Sequence, residues 1–263
     1  MRTNEPRVSA PGPEDPQSPA LVLPGRTLRA GAGSDWIGDG WRLFAKAKLM
    51  WVIFVFLFVL IHIVLAFVPV LGTLAANVLT PVLAGGVYLG CRSLETGGEL
   101  ELEHLFAGFR RHFVDLVVIG VAYLLGGLVI LLVFGMFAGM SILTAMFAGN
   151  ESDVLTAITA ASLPLLLGVL VATALSVPLM AAYWFAPMLV MLNDVRPVEA
   201  MKASLVACFR NFLPFLVYGI LMLLLAIVAM IPFGLGLFVW VPVLVGSMYA
   251  SYRGIFTEPD AAL

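Results

Sequence analysis

The sequence predicts an all-α integral membrane protein: six transmembrane helices arranged as three hairpins, each preceded by a short amphipathic helix lying in the membrane plane. Three observations carry this reading. The chain is 62% hydrophobic and only 11% charged, with a mean hydropathy of +1.06, whereas soluble domains carry about 25% charged residues. Apolar runs of the length needed to cross about 30 Å of hydrocarbon recur along it. All fourteen Lys and Arg residues can be placed on one side of a membrane, the cytoplasmic side, because cytoplasmic loops retain positive charge during insertion.

Residues 1–33 read as a disordered cytoplasmic tail, interrupted by Pro6, Pro11, Pro13, Pro16, Pro19 and Pro24. The membrane domain then occupies 34–256, and 257–263 form a short cytoplasmic end. No cleavable signal is read before the first apolar run near Leu49, which is too long for one. The spans fall at about 49–67, 70–91, 113–137, from Ala161, 212–231 and 235–252. Pro69 marks the first hairpin turn, and Pro232-Phe233-Gly234 the last. The fourth run, Ala161 to Leu192, is 32 residues, about 48 Å as one straight helix. It contains Pro164, Pro178 and Pro187, so a span to about Tyr183, kinked near Pro178, with a further turn or two at the interface, is expected. Gly135, Gly139 and Gly149 favour a loop at 138–148 over a re-entrant element.

With the N-terminus inside, the inner segments are 1–48, 92–112, 193–211 and 253–263, and they hold every basic residue. The outer loop 138–160 carries Glu151 and Asp153 and no basic residue. Both termini are therefore expected in the cytoplasm. Trp51 and Trp184 near the inner face and Trp240 near the outer one suit interfacial belts.

Three inner segments share a pattern. Ile37, Trp41 and Phe44 recur at helical spacing before the first span, among Arg42, Lys46 and Lys48. Leu102, Leu105, Phe106, Phe109 and Phe113 form a stripe before the third, beside Arg110 and Arg111. Val198, Met201, Leu205, Cys208 and Phe212 do so before the fifth, with Pro197 and Glu199 as start signals. The unit is an in-plane helix plus a two-span hairpin, used three times. Each in-plane helix would turn its aromatic face to the acyl chains and its basic residues to anionic lipid, while plain juxtamembrane anchoring without lipid specificity accounts for the same pattern. Only Arg92 and Arg253 sit at the other inner ends of the hairpins.

Sites for chemistry are scarce. Ionisable residues inside a bilayer are functional suspects, and His62 is the clear case here. It either binds a proton or polar ligand or is a neutral imidazole bonded to a neighbouring helix, the second being the preferred reading. Asp115 is read as a boundary residue within reach of Arg111. Asn77, Thr73 and Thr80 put polar groups in the second span, which either line a polar path or bond between helices. His62, His104 and His112 share no metal-ligand spacing. Glu95, Glu99, Glu101 and Glu103 form an acidic inner loop expected to pair with Arg110 and Arg111. Cys91 and Cys208 are read as packing residues. Gly86-x-x-x-Gly90 and Gly135-x-x-x-Gly139 are spacings that let helices approach closely. No catalytic, cofactor-binding or metal-binding residue is assigned. The net charge of −2 gives no reason to expect nucleic acid.

At Phe209-Arg210-Asn211-Phe212-Leu213-Pro214 and Phe106-Ala107-Gly108-Phe109-Arg110-Arg111 the chain resembles a family of bacterial six-span inner-membrane proteins of unknown function. These are distantly similar to the membrane domain fused to some glycerophosphodiester phosphodiesterases. Gly40-Trp41-Arg42-Leu43-Phe44 and Leu94-Glu95-Thr96-Gly97-Gly98-Glu99 fit the same pattern, and the likeness covers about 36–256. It implies a bacterial inner-membrane location and a role in envelope or lipid state. Phosphodiesterase activity does not carry over, because in those relatives it resides in a separate soluble domain. The expected function is that of a non-enzymatic membrane protein that organises lipid or assists a partner, with anionic lipid at the inner face and no cofactor. A protein partner or homo-oligomer stays open. The alternative is a transporter or channel for a small or amphiphilic molecule, on the strength of the repeat.

Overall fold

The computed structural model describes residues 20–148 and 154–257. Among them the chain is helical throughout, with a single antiparallel β-bridge between Leu21 and Thr257. The helices are α1 (Ala32–Lys46), α2 (Lys48–Ala66), α3 (Leu71–Glu95), α4 (Leu102–Leu105), α5 (Ala107–Arg110), α6 (Phe113–Ala148), α7 (Val154–Trp184), α8 (Ala186–Asn193), α9 (Pro197–Arg210), α10 (Phe212–Met230) and α11 (Leu237–Phe256). Five stretches are long and apolar enough to cross a membrane: Lys48–Ala66, Leu71–Glu95, Phe113–Met146, Ser162–Asn193 and Phe212–Met230.

The sixth expected span forms α11 but falls outside that set. The reason lies in its surroundings: α11 is enclosed by α1, α10, α2 and α3. Gly246, Ser247, Tyr249, Ser251 and Tyr252 are all buried against protein. A helix that faces neighbours instead of lipid can carry hydroxyls, provided each is satisfied. Here Ser247 and Ser251 donate back to Leu244 O and Met248 O, and Tyr218 meets Ser247 at 2.8 Å.

Two expectations need correction. Residues 138–148 are not a loop. They continue α6, whose 36 residues extend about 54 Å, well beyond the hydrocarbon layer. Glycine costs a helix only about 1 kcal/mol, and this run is otherwise apolar helix-forming sequence packed along α7. The expected outer residues Gly149, Glu151 and Asp153 lie outside the described residues, as does 1–19 of the tail. The tail boundary at 33 also moves. Residues from Leu21 lie against the end of α11, with Val22 N–H donating to Phe256 O and Arg26 N–H to Ile255 O, both at 2.8 Å. Of the end segment, only Thr257 is described.

The fourth run divides as expected. α7 continues through Pro164 and Pro178, and the chain breaks at Phe185 before α8. Pro187 lacks the N–H that would otherwise bond to Tyr183 O. At the same break Ser204 enters the helical ladder: its Oγ accepts Phe185 N–H at 2.9 Å and donates to Ala181 O at 2.6 Å. The inserted hydroxyl replaces the Phe185-to-Ala181 backbone bond, a recognised cause of a sharp bend, and it fixes α9 against α7.

α1 belongs to the bundle. It packs chiefly on α11 and α10, the last pair in the chain, not on the hairpin that follows it. Trp36 is buried against Phe215 and Tyr218, with ring centroids 5.2 and 5.9 Å away. Contact with α11 is backbone to backbone: a Cβ on Gly40 would lie 2.6 Å from Val243 O, so only glycine fits. Of the apolar stripe read on α1, Phe44 is buried, Ile37 is half-buried and Trp41 is 52% exposed.

Candidate functional site

The helix ends that carry the basic residues meet at one end of the bundle and are tied together there. Glu95 at the end of α3 is ion-paired with Arg253 at the end of α11 and accepts the Tyr249 hydroxyl at 2.6 Å. Lys46, closing α1, donates to Leu94 O at 2.7 Å. Arg92 donates to Leu192 O at 3.3 Å, and Tyr252 to Asn193 Oδ1, linking α3 and α11 to α8. His112 Nε2 lies 2.8 Å from Asp194, joining the start of α6 to the end of α8. Cations beside last-turn carbonyls also oppose the negative helix ends.

The N-terminal segment is held at this same end. The Asn211 carboxamide, fully buried, accepts Leu28 N–H at 2.8 Å and donates to Arg26 O at 2.9 Å. It thus imitates a paired strand at a point where no strand is available. Arg26 adds a bond to Gly254 O at 2.7 Å.

α9 docks through its small residues. Ala200, Ala203, Ser204 and Ala207 are buried, whereas Met201, Leu205 and Cys208, read as the lipid-facing stripe, are half-buried at its flank. Val198, Val206 and Phe209 point outward, the last 55% exposed. The second in-plane element is two single turns, α4 and α5, seated on the glycine face of α3. A Cβ on Gly86 would strike His104 O at 2.2 Å. Close approach thus occurs at Gly86, while Gly135 and Gly139 have nothing within 4 Å. Phe106, Phe109 and Phe113 follow one another, the first pair tilted with centroids 6.3 Å apart and the second stacked at 5.7 Å, and all three are exposed. Arg111, Lys202 and Arg210 are exposed, and among the described residues no carboxylate lies within 4 Å of them.

The acidic loop separates. Glu103 pairs with Arg110 at 3.2 Å, Glu95 turns to Arg253, and Glu101 caps α4, its backbone N–H meeting His104 Nδ1 at 3.0 Å. Asp115 is 3.6 Å from His112 rather than near Arg111. Among the described residues no group of three or more His, Cys, Asp or Glu side chains could hold a metal ion. His62 donates from Nδ1 to Phe58 O at 2.8 Å and faces Thr80 Oγ1 of α3 at 3.4 Å. Asn77 and Thr80 donate to carbonyls of their own helix, Thr73 O and Ala76 O. These polar groups are occupied within and between helices.

Two cavities bear on function. One, of about 310 Å³, opens between α2, α3 and α11 and is lined almost wholly by apolar side chains. The other, of about 650 Å³, lies at the α1–α2 junction beside the end of α3, with Lys46, Lys48 and Glu99 in its wall. Sequence reasoning had no signal for either, since each is built from residues distant in the chain.

No protein-family model matches the chain, and no solved structure matches it. A protein of Burkholderia thailandensis named "Probable inner membrane protein" is 33% identical over 261 residues, covering 89% of this chain and 95% of that one. Similarity over nearly the whole of both chains, with five helices fit to cross a membrane, makes this an integral membrane protein that belongs to the same family as that bacterial inner-membrane protein.

Proposed function

We propose that the protein is a six-span, non-enzymatic component of the bacterial inner membrane, with both termini cytoplasmic, that organises anionic lipid at the cytoplasmic leaflet through the surface formed by α4, α5 and α9. One observation carries this: exposed Phe106, Phe109 and Phe209 stand beside Arg110, Arg111 and Arg210, also exposed, at the end of the bundle where the basic residues gather. Aromatic rings at acyl-chain level with guanidinium groups above them are the elements of an interfacial helix, and each cation near an anionic surface adds about 1 kcal/mol. α11 counts as the sixth span because its 20 residues reach about 30 Å, and its polar groups are covered by protein. The resemblance to membrane domains fused to phosphodiesterases would fit a membrane module that brings no chemistry of its own. The cavity among the spans is apolar, which favours lipid over a polar transported solute.

The test is reversal of Arg110, Arg111 and Arg210 to Glu. Phosphatidylglycerol co-purifying with the protein should fall relative to phosphatidylethanolamine. An unchanged lipid ratio overturns the reading.

A further inference from the structure

We infer that the crevice between α2, α3 and α11 holds one acyl chain of an anionic phospholipid whose headgroup rests at Lys46 and Lys48. This site lies on the inner side of α4, whose buried Leu105 closes one wall, away from the exposed aromatic and arginine side chains of α5 and α9, and shares with the proposed function the assignment of the basic end to the headgroup layer.

The walls specify an alkyl chain. α2 supplies Trp51, Phe54 and Phe58, α3 supplies Ala84 and Val87, and α11 supplies Val245. Three residues of α2 are buried, Trp51, Phe54 and Val55, and all three line this crevice. The polar groups in the lining are already satisfied. Trp51 Nε1–H donates to Leu43 O at 3.2 Å, Thr80 to Ala76 O at 2.7 Å, and the Tyr88 hydroxyl to Met248 Sδ at 3.8 Å. A polar ligand would find no unmet partner there. The volume of about 310 Å³ stands at the lower end of the about 300–1,000 Å³ usual for ligand sites. Set among membrane helices, an apolar opening of this kind is filled from the surrounding lipid.

The mouth specifies the charge. The crevice and the cavity at the α1–α2 junction follow one another along α2: Lys48 lines the latter, and Trp51, three residues on and so on the same helix face, lines the former. In that second cavity Lys46 and Lys48 face one carboxylate, Glu99. Lys46 is held in place by its bond to Leu94 O, and among the described residues Lys48 has no carboxylate within 4 Å. A net positive mouth over an apolar slot suits an anionic amphiphile, with the second acyl chain lying outside along α2.

The experiment is native mass spectrometry of the full protein released from nanodiscs of phosphatidylglycerol mixed with phosphatidylcholine. The wild type should retain one phosphatidylglycerol. Ala84→Phe, which fills the crevice, should remove it, and Val59→Trp at the exposed rim supplies a second filling variant should the first fail to fold. Lys48→Gln should lower occupancy about fivefold, the order expected for losing one headgroup contact. The Arg110, Arg111 and Arg210 reversal should leave this single adduct in place, even where it strips other lipid and whether or not the proposed function stands. Retention of the adduct in both filling variants overturns the site. So does its loss in the arginine reversal alone, retention of phosphatidylcholine in equal amount, or an adduct with the mass of a free fatty acid.

Discussion

Ser204 on α9 receives the backbone N–H of Phe185 at 2.9 Å, and both are fully buried. One hydroxyl thereby repairs the break that Pro187 leaves between α7 and α8, and positions the amphipathic α9 at the same time. Ser204→Ala should leave Phe185 N–H unpaired in a dry interior and leave Ala181 O with only the weak Cys208 thiol donor at 3.6 Å, a cost of about 1–3 kcal/mol. Thermal unfolding of the purified protein in detergent should shift downward, and Ser204→Thr, which keeps the hydroxyl, should restore part of the loss. An unchanged midpoint in Ser204→Ala would show that the ladder closes without it.

The crossing of α1 over α11 makes a contrasting pair of glycines. A Cβ at Gly40 meets Val243 O at 2.6 Å, whereas one at Gly38 meets nothing within 4 Å. Gly40→Ala should therefore force α1 away from α11 and destabilise by at least the 1–3 kcal/mol typical of overpacking. Gly38→Ala should be neutral or stabilising by up to about 1 kcal/mol, since alanine favours the helix. The same unfolding assay compares them, and equal effects would contradict the close crossing.

These two relationships show where sequence reasoning succeeds and stops. Most helix positions followed from apolar run length, because lipid permits only satisfied backbone, although α6 runs on through 138–148, where the glycines suggested a loop. The break before α8 followed from proline chemistry, whereas α7 runs through Pro178 as one helix. The face that α9 buries did not, since Ala200, Ala203 and Ala207 carry little hydrophobic weight. Their value is that they let backbones approach, and that depends on a partner distant in sequence. Similarly, α1 read as amphipathic from Ile37, Trp41 and Phe44, yet Trp41 is exposed and the close contacts to α10 and α11 come from Trp36 and Gly40. The basic residues of the candidate site were legible one by one. Their pairing, Glu95 with Arg253 or His112 with Asp194, required the tertiary arrangement.

Asn211 was visible in sequence only as part of a junction pattern, and its bonds give it a function. Asn211→Leu removes both contacts to Arg26 O and Leu28 N–H. Amide hydrogen exchange across residues 21–30 should accelerate at least about fivefold, matching loss of one net hydrogen bond of about 1 kcal/mol. Exchange within α3 should not change. Unaltered protection of 21–30 would mean that the Val22 and Arg26 bonds to α11 hold the segment alone.

Orientation can be decided by cysteine labelling, because the native thiols are quiet. Cys91 is fully buried, and burial pushes the Cys208 thiol up to about 12. A raised thiol pKa keeps the proton on as pH rises, so at neutral pH fewer than about one Cys208 in ten thousand is the reactive thiolate. Phe233, at the turn between α10 and α11, and Glu99, beyond α3, are both exposed at opposite ends of the bundle. In right-side-out membrane vesicles a membrane-impermeant maleimide should label Phe233→Cys at once. It should label Glu99→Cys only after the vesicles are opened. The reverse pattern would place every basic residue on the periplasmic side and remove the cytoplasmic-lipid reading along with the orientation.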